Sequence, residues 1–328
     1  MQTIRWGLIG CGDVARKRVA AAIQGESRSK LVAACRRDSE QLDTFCSAFH
    51  VGRSYVDAYD LIADAEVDAV YLATPVREHL PHTLAAARAG KHVLVEKPMA
   101  LSVAECDKMI DACRSAGVKL GVAYYRRYYP LVERVRILMQ QRAIGTPMCV
   151  AAVTTTPLAM APGEEGYWRV VAAESGGGSL MDIGSHRIDL FRYLFGEITD
   201  VKAICGHTAT DYEAEETALL LLRFANGMMG TLQCHFSTVA HSDSLAIVGT
   251  EGRLATERLN GEELVVERDD ARQVERHPPA ENLCTPLIAD FVDAILTGSE
   301  PRTSGEDGRR TNEVMENAYR NAGWSFVA

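Results

Sequence analysis

Several common signatures are missing from this 328-residue sequence. No apolar stretch approaches the roughly 20 residues that a membrane-spanning helix requires, and the N-terminus shows no signal-peptide pattern. The formal net charge is −9, with 35 Lys and Arg against 44 Asp and Glu, so the basic face that a nucleic acid requires is not expected. We therefore expect neither a membrane protein nor a nucleic-acid-binding protein.

Cysteine and histidine also lack the patterns of metal and disulfide proteins. The nine cysteines are dispersed, odd in number and without a C-x-x-C pair, which is typical of thiols in a reducing compartment. No H-x-x-x-H and no Cys/His cluster occurs, so no metal site is predicted. The G-x-S-x-G motif and the P-loop are absent as well. A cytoplasmic protein without a bound metal is the expectation.

Strand and helix patterns alternate through the first 120 residues. Strands are predicted at 4–9, 31–35, 67–73, 92–95 and 118–123, and helices at 14–23, 39–49, 84–89 and 103–116. Alternation at this spacing predicts βαβ units and a parallel sheet.

A glycine motif directly follows the first predicted strand. Gly10, Gly12 and Ala15 form G-x-G-x-x-A, with Asp13 and Val14 between them. Gly10 permits a tight turn, Gly12 lets a pyrophosphate approach the backbone, and Ala15 keeps the helix close to the strand. The helix N-terminus supplies N–H groups and a partial positive charge. We therefore predict a Rossmann dinucleotide-binding domain over residues 1–123.

The end of the second strand indicates which dinucleotide binds. An NAD site usually has an acidic residue here, but this sequence has Cys35 followed by Arg36 and Arg37. Arginine suits a 2′-phosphate, so NADP is favoured over NAD. Two alternatives stay open: the arginines are solvated loop charges, and Asp38 either caps the next helix or binds a ribose.

Two further segments follow strands that should end at the same edge of the sheet. The turn at 73–79 would border the dinucleotide, although its Thr and Pro also suit an ordinary turn. The run from His92 ends in Glu96-Lys97-Pro98, which places charged side chains where ligands bind in such sheets. Alone, Lys97 reads as a solvent-exposed lysine. The cofactor contacts predicted from these segments are Ala73, Thr74, Pro75, His79, Glu96 and Lys97.

The remaining residues predict a different architecture. Strands are expected at 148–155, 201–205, 217–224, 228–236 and 244–248, with a hairpin turn at Asn226-Gly227. Residues 157–178 read as a long irregular segment, and 131–139, 285–296 and 311–319 as helices. We therefore predict an α/β protein whose second domain, 124–328, is α+β with a mainly antiparallel open sheet that binds substrate and forms a homodimer or homotetramer. The last helix is expected to pack back on the first domain.

Two clusters in this second part contain residues that could bind a ligand or take part in catalysis. Tyr125 and Arg127 lie in a group of tyrosines and arginines that suits either a polyhydroxylated ligand or a domain seam. Asp182 and His186 are spaced one helical turn apart, and on a regular helix Asp189 would share their face. A carboxylate beside an imidazole can orient it and raise its basicity, although Asp182 could equally cap the helix.

These motifs together resemble the Gfo/Idh/MocA oxidoreductase family. The resemblance runs from Gly10-Cys11-Gly12 through Glu96-Lys97-Pro98 to the D-x-G-x-H of residues 182–186. It implies that Lys97, Asp182 and His186 surround the reacting hydroxyl and that the nicotinamide lies between the domains. The resemblance further implies cofactor contacts from Trp168 and Arg169, a cis Lys97–Pro98 bond, and substrate contacts from Lys97, Tyr125, Arg127, Asp182 and His186.

The sequence departs from the family pattern at two positions. Tyr125 and Val76 replace asparagines that border the cofactor or substrate in relatives. The function implied is an NAD(P)-dependent dehydrogenase or reductase acting on the CH–OH group of a sugar, sugar derivative or polyol. Two other functions stay open: a dinucleotide-binding regulator without turnover, and a glycosidase that reduces and re-oxidises a retained NAD in each cycle.

Overall fold

The structure is a computed structural model that describes residues 3–236, 238–239, 241–269 and 271–324. The chain forms two compact units. The first comprises Met1–Tyr125 and Glu281–Arg310, and the second comprises Arg126–Ala280 and Thr311–Ala328. Each unit contains its own sheet. The strands of the first sheet are parallel, and those of the second are mainly antiparallel.

The first unit is built on a six-stranded parallel sheet with the order β3-β2-β1-β4-β5-β6. Its central strands are apolar and buried on both faces, as a parallel sheet covered by helices requires. The predicted parallel sheet is therefore confirmed. Its strands are β1 (Ile4–Ile9), β2 (Ser29–Cys35), β3 (Arg53–Tyr55), β4 (Ala69–Leu72), β5 (His92–Val95) and β6 (Leu120–Val122).

The helices of this unit begin and end where the sequence supplies caps. The Ser102 side chain accepts a hydrogen bond from the Glu105 N–H at the start of α5, and Gly117 ends that helix with φ +69°. The first helix starts with a π-helical turn at Ala15–Val19. The α-helices are α1 (Ala20–Gly25), α2 (Ser39–Phe49), α3 (Ala58–Ala63), α4 (His79–Arg88) and α5 (Val103–Ala116).

A later segment of the chain completes the first unit. Helix α9 (Thr285–Thr297) packs Phe291 against Trp6, with ring centroids 5.7 Å apart. Gly121 lets α9 approach β6, because a Cβ there would lie 2.8 Å from the Phe291 ring. The N–H of Val122 donates to the Thr303 carbonyl, so this segment also covers the open edge of β6.

The second unit contains an eight-stranded sheet with the order β14-β13-β12-β11-β7-β10-β9-β8. All of its pairs are antiparallel except β7 with β10, which confirms the mainly antiparallel sheet that was predicted. Asn226-Gly227 forms the turn between β9 and β10. The strands are β7 (Pro147–Thr156), β8 (Ile198–Gly206), β9 (Thr217–Phe224), β10 (Met229–Phe236), β11 (Asp243–Gly249), β12 (Gly252–Thr256), β13 (Glu263–Arg268) and β14 (Ala271–Arg276).

One face of this sheet is covered and the other is open. Helix α8 packs on the covered face, where Phe191 and Phe195 contact Phe224 edge to face. Along β9 alternate residues are buried and exposed, so Leu219 and Leu221 lie on the open face. The helices of this unit are α6 (Pro130–Gln140), α7 (Ala172–Ser175) and α8 (Ser185–Phe195). Helix α10 (Gly305–Asn321) starts in the first unit and ends in the second.

His79 joins two loops of the first unit. Its imidazole is buried, with Nδ1 3.1 Å from the carbonyls of Pro98 and Met99 and Nε2 3.0 Å from the Thr74 carbonyl. The ring thereby links the turn after β4 to the loop after β5, whose Lys97–Pro98 bond is cis as expected. Burial outweighs the three carbonyls and lowers the pKa of His79 to about 4.

The depressed pKa predicts a pH dependence of stability. Between about pH 6.5 and pH 4, His79 is protonated in the unfolded chain but stays neutral in the folded protein. The free energy of unfolding therefore falls as the pH falls through this range. At about 1.4 kcal/mol per pKa unit the loss approaches roughly 3 kcal/mol. His79→Gln should weaken this acid slope in denaturant unfolding measured across the window. His50→Asn, at an exposed histidine, should keep it, and an unchanged slope in His79→Gln would contradict the assignment.

Candidate functional site

The strands of the first sheet end in one row. Ile9 is in register with Leu72, and Leu72 with Val95. The N–H of Ala73 donates to the Ile9 carbonyl at 2.8 Å, and the N–H of Glu96 donates to the Leu72 carbonyl at 2.9 Å. The residues that follow β1, β4 and β5 therefore lie at the same edge, beside the point where the strand order reverses.

The glycine turn has the geometry that a dinucleotide phosphate requires. Gly10 has φ +95°, and a Cβ there would lie 2.5 Å from the Ala73 carbonyl oxygen, so no larger residue fits. The following helix starts with a bond from Arg16 N–H to the Gly12 carbonyl, and Ala15 is fully buried. The backbone N–H groups ahead of that first bond have no intrahelical acceptor. These residues fit a pyrophosphate.

The predicted nucleotide-selecting residues lie beside this turn. The Arg36 Nη1 donates to the Cys11 carbonyl at 2.8 Å, which places the guanidinium next to the glycines. Arg37 is exposed, and Cys35 is buried, with burial raising the pKa of its thiol to about 12. Asp38 caps α2 by accepting the N–H three residues ahead, which is one of the two alternatives left open for it.

Glu96 supports the loop that holds Lys97. The Tyr71 hydroxyl donates to one carboxylate oxygen at 2.7 Å, and the Lys97 N–H approaches the other at 3.2 Å. Burial raises the pKa of Glu96. Lys97 itself is partly exposed at the end of β5. Glu96 therefore acts on the backbone of Lys97, and a direct contact of Glu96 with the cofactor stays a prediction.

The turn after β4 combines half-buried and buried residues. Ala73, Thr74 and Pro75 are partly accessible at the edge of the sheet, as cofactor contacts must be. His79 is buried and bonded to backbone carbonyls, so its predicted contact with the cofactor is not tested by this geometry. Val76 is also buried, at 1% exposed, so the position that is asparagine in the family pattern is part of the apolar core here.

The two aromatic-cluster residues have different surroundings. In the first unit the Arg18 Nη1 donates to the Tyr125 hydroxyl at 2.8 Å, and the guanidinium lies 5.5 Å from the ring centroid. In the second unit Arg127 is 4% exposed and forms a forked ion pair with Asp189, whose side chain is 1% exposed. Asp189 thus binds a buried arginine, although the helical wheel placed it with the candidate catalytic pair.

Asp182 and His186 lie on consecutive turns of different type. Asp182 belongs to a π-helical turn at Leu180–Gly184, so the wheel of a regular α-helix does not describe its direction. The His186 side chain is buried in α8, whereas the Asp182 side chain is 25% exposed. Arg169 lies 3.9 Å from the Asp182 carboxylate and stacks on Trp168 at 4.9 Å, so the predicted arm and the predicted acid are neighbours within the second unit.

The structure adds residues that the sequence did not single out. Glu215 is fully buried and accepts hydrogen bonds from the N–H groups of Gly178 and Leu180 and from the Tyr319 hydroxyl. Tyr71, the partner of Glu96, was read only as part of an apolar strand. The one available signal for Glu215 is the acidic pair Glu215-Glu216 ahead of a strongly apolar strand.

The described residues show neither a membrane-spanning helix nor a group of metal ligands. Within the described residues, no helix combines the length and the apolar character that crossing a bilayer demands. Over the same ranges, no three His, Cys, Asp or Glu side chains are grouped as metal ligands. The nine cysteines are all unpaired thiols, most of them buried.

Known protein families match this chain along most of its length. Residues 4–124 match the profile of the Gfo/Idh/MocA oxidoreductase family with its NAD-binding Rossmann fold, and residues 132–255 match the GFO/IDH/MocA C-terminal domain. A 1,5-anhydro-D-fructose reductase from Ensifer adhaerens is 30% identical over 311 residues, which are 93% of this chain and 92% of that protein.

Solved structures resemble the whole chain. The aldose-aldose oxidoreductase from Caulobacter crescentus, in complex with glycerol, superposes with a TM-score of 0.90 at 29% identity over 98% of each chain. A levoglucosan dehydrogenase in complex with NADH and levoglucosan gives a TM-score of 0.89 at 25% identity over 98% of each chain. With both family domains matched in order, this protein belongs to the Gfo/Idh/MocA family of NAD(P)-binding oxidoreductases.

Proposed function

We propose that this protein exchanges a hydride between NAD(P) and a hydroxyl or keto carbon of a sugar, sugar derivative or polyol, with Lys97, Asp182 and His186 as the catalytic residues. The observation that carries the proposal is the position of Lys97, directly after β5 and in the same row of strand ends as the glycine turn. Relatives that act on carbohydrates, among them the anhydrofructose reductase and levoglucosan dehydrogenase, support the substrate class.

Each of the three residues has a defined task in this proposal. Bound nicotinamide would supply the hydride exchange. His186 takes the hydroxyl proton when the substrate is oxidised and returns it in reduction. Lys97 donates a hydrogen bond to the reacting oxygen and stabilises its developing negative charge. Asp182 orients His186 or holds a substrate hydroxyl, with Arg169 beside its carboxylate.

The remaining roles follow the motifs. We propose residues 1–123 as the cofactor-binding domain and 124–328 as the domain for substrate and oligomer contacts, with Tyr125 and Arg127 at the substrate. The proposed cofactor contacts are Gly10, Gly12, Asp13, Val14, Ala15, Cys35, Arg36, Arg37, Ala73, Thr74, Pro75, His79, Glu96, Lys97, Tyr125, Trp168 and Arg169.

The catalytic assignment predicts a loss of turnover without a loss of cofactor. Lys97→Met or His186→Ala should lower kcat by at least about 10², since proton transfer alone contributes 10²–10⁴-fold. The measurement is reduced-cofactor absorbance across a panel of sugars and polyols in both directions, with cofactor binding followed by fluorescence. Lys108→Met and His241→Ala, at exposed positions, serve as matched controls.

Each alternative function has its own outcome in the same experiment. Near-normal turnover in both Lys97→Met and His186→Ala would contradict the catalytic roles proposed for these residues. Cofactor binding without any reduction across the panel would indicate a regulator. Release of an aglycone from a glycoside without net NADH would indicate the glycosidase chemistry.

We also propose NADP as the preferred cofactor. Arg36 lies at the glycine turn and Arg37 is exposed next to it, whereas the acidic residue of an NAD site is replaced by Cys35. Arg36→Ala should weaken NADP at least about tenfold more than NAD, because one charge-assisted contact to the 2′-phosphate is lost. Calorimetric titration with both cofactors measures this, with Arg88→Ala as control. Equal losses for the two cofactors would contradict the preference.

The open face of the second sheet supports a homo-oligomer. Ile204, Leu221 and Met229 are 72%, 62% and 60% exposed on β8, β9 and β10. Ile204 is opposite Leu219, so the apolar side chains are neighbours across the strands. Polar residues lie between them, since Lys202 is opposite Leu221 and Arg223 is opposite Met229. Exposed apolar side chains on one sheet face support an interface, and a second copy of the sheet is the occupant we propose.

The oligomer has a direct test. Leu221→Glu should convert the dimer or tetramer to a smaller species, because a carboxylate would be desolvated at the centre of the interface. Light scattering after size exclusion measures the mass over a dilution series. Val56→Glu changes an equally exposed apolar residue of the first unit and should leave the mass unchanged. A monomeric wild type would refute the proposal.

A further inference from the structure

A buried carboxylate in the second unit has no role in the chemistry described so far. Glu215 precedes β9, and its residue is 0% exposed. One carboxylate oxygen accepts the Gly178 N–H at 2.7 Å. The other accepts the Leu180 N–H and the Tyr319 hydroxyl, each at 2.9 Å. Both oxygens are used only as acceptors, which is the bonding of an ionised carboxylate.

Backbone contacts fix the same segment from the same residue. The Glu215 carbonyl accepts the Ser179 N–H at 3.0 Å, so three consecutive N–H groups bind this one residue. A Cβ on Gly178 would lie 1.9 Å from that carbonyl oxygen, which explains the glycine. The approach of β9 to the glycine segment is therefore close and specific.

The two residues whose N–H groups bind the Glu215 side chain also accept hydrogen bonds, through their carbonyls, from the segment that carries Asp182 and His186. The Gly178 carbonyl accepts the Asp182 N–H at 2.9 Å. The Leu180 carbonyl accepts the Ser185 N–H, closing the π-helical turn directly before His186. The carboxylate also lies at the N-terminal end of this helical segment, where negative charge is stabilising.

We propose that Glu215 is the positioning residue for Asp182 and His186, and that its ionised form holds the π-helical turn in the geometry that turnover requires. This inference rests on the proposed function, because it takes Asp182 and His186 as catalytic. When the carboxyl is protonated, a proton on Oε2 faces the Gly178 N–H, and a proton on Oε1 requires the Tyr319 hydroxyl to reverse from donor to acceptor. In either case the set of three bonds that the carboxylate accepts is no longer intact. The turn is then held less firmly, so activity should rise as the proton leaves.

Glu215 changes its ionisation near neutral pH. Burial raises the pKa of Glu215 to about 7, opposed by its N–H and hydroxyl donors. The groups facing it are Tyr319 from α10, Cys205 from β8 and Cys234 from β10. Burial raises the pKa of each well above neutrality, so these three stay uncharged where Glu215 titrates, while Arg187, near Cys234, stays cationic throughout.

Three single variants test the proposal in the full-length protein. Glu215→Gln should lower kcat about tenfold while the Kd of the reduced cofactor changes less than about twofold. Tyr319→Phe removes one donor and should move the acidic limb of the kcat profile to higher pH by roughly half a unit to one unit. Glu216→Gln is the matched control, since this neighbouring carboxylate is also buried but binds the N–H groups of Thr208 and Ala209 instead.

Stability supplies a readout independent of turnover. The raised pKa means that the folded protein holds a proton at Glu215 that the unfolded chain has released between about pH 4.5 and pH 7. Wild-type stability should therefore fall relative to Glu215→Gln as the pH rises through this window, and level off above it. The pKa of Glu216 is lowered, so Glu216→Gln should show a constant difference from wild type over the same range.

The outcomes separate this inference from the proposed function. Unchanged kcat and pH profiles in both Glu215→Gln and Tyr319→Phe, with His186→Ala inactive, would overturn the positioning role alone. Activity retained in His186→Ala and Lys97→Met would overturn the proposed function first. If Glu215→Gln fails to fold, the pH shift of Tyr319→Phe decides: a shift supports the role, and its absence refutes it.

Discussion

The register of the parallel strands is the constraint on which the first unit depends. Ile9, Leu72 and Val95 end in one row because β4 and β5 are apolar on both faces and each must bury its own side chains. A slip of one residue would move every side chain of a strand to the opposite face, where the close-packed neighbours fit different side chains. The glycine turn and Lys97 therefore reach the same edge through packing within the sheet, and His79 and Glu96 then hold the loops at that edge.

The second unit places its polar groups by a different means. Helix α8 is buried around most of its circumference, so it contains His186, Arg187 and Asp189 within the core. A buried ion pair such as Arg127–Asp189 gains little over apolar packing, but breaking it leaves a desolvated charge. The ion pair therefore adds little stability, but any packing of α8 that separates Arg127 from Asp189 is strongly disfavoured. An ion pair of this kind fixes the direction of the helix.

The sequence predicted those elements that are strongly apolar or clearly capped. Residues 217–224 are mostly apolar and are followed by the Asn226-Gly227 turn, and the helix at Val103–Ala116 has a serine cap and a terminal glycine, so both were placed at their observed bounds. The alternation of buried and exposed residues along that strand is visible only in the structure. The strands β3, β12, β13 and β14 were not predicted. β3 has only three residues, β14 is polar, and β12 and β13 are short strands with few apolar residues. Glu215 was missed for a related reason: an acid before a strand is usually solvated, and only the fold shows that this one is enclosed.

The two helices that bear the motifs share a feature that no apolar pattern reveals. Both begin with a π-helical turn, at Ala15–Val19 and at Leu180–Gly184, in which an N–H bonds five residues back. Each such turn inserts one residue relative to an α-helix, so residues before it face a different direction from the one that regular periodicity gives. Asp182 lies inside the second of these turns. The spacing of D-x-G-x-H is thus a spacing across a π turn, and Asp189, which a regular wheel would place on the same face, pairs with Arg127 instead.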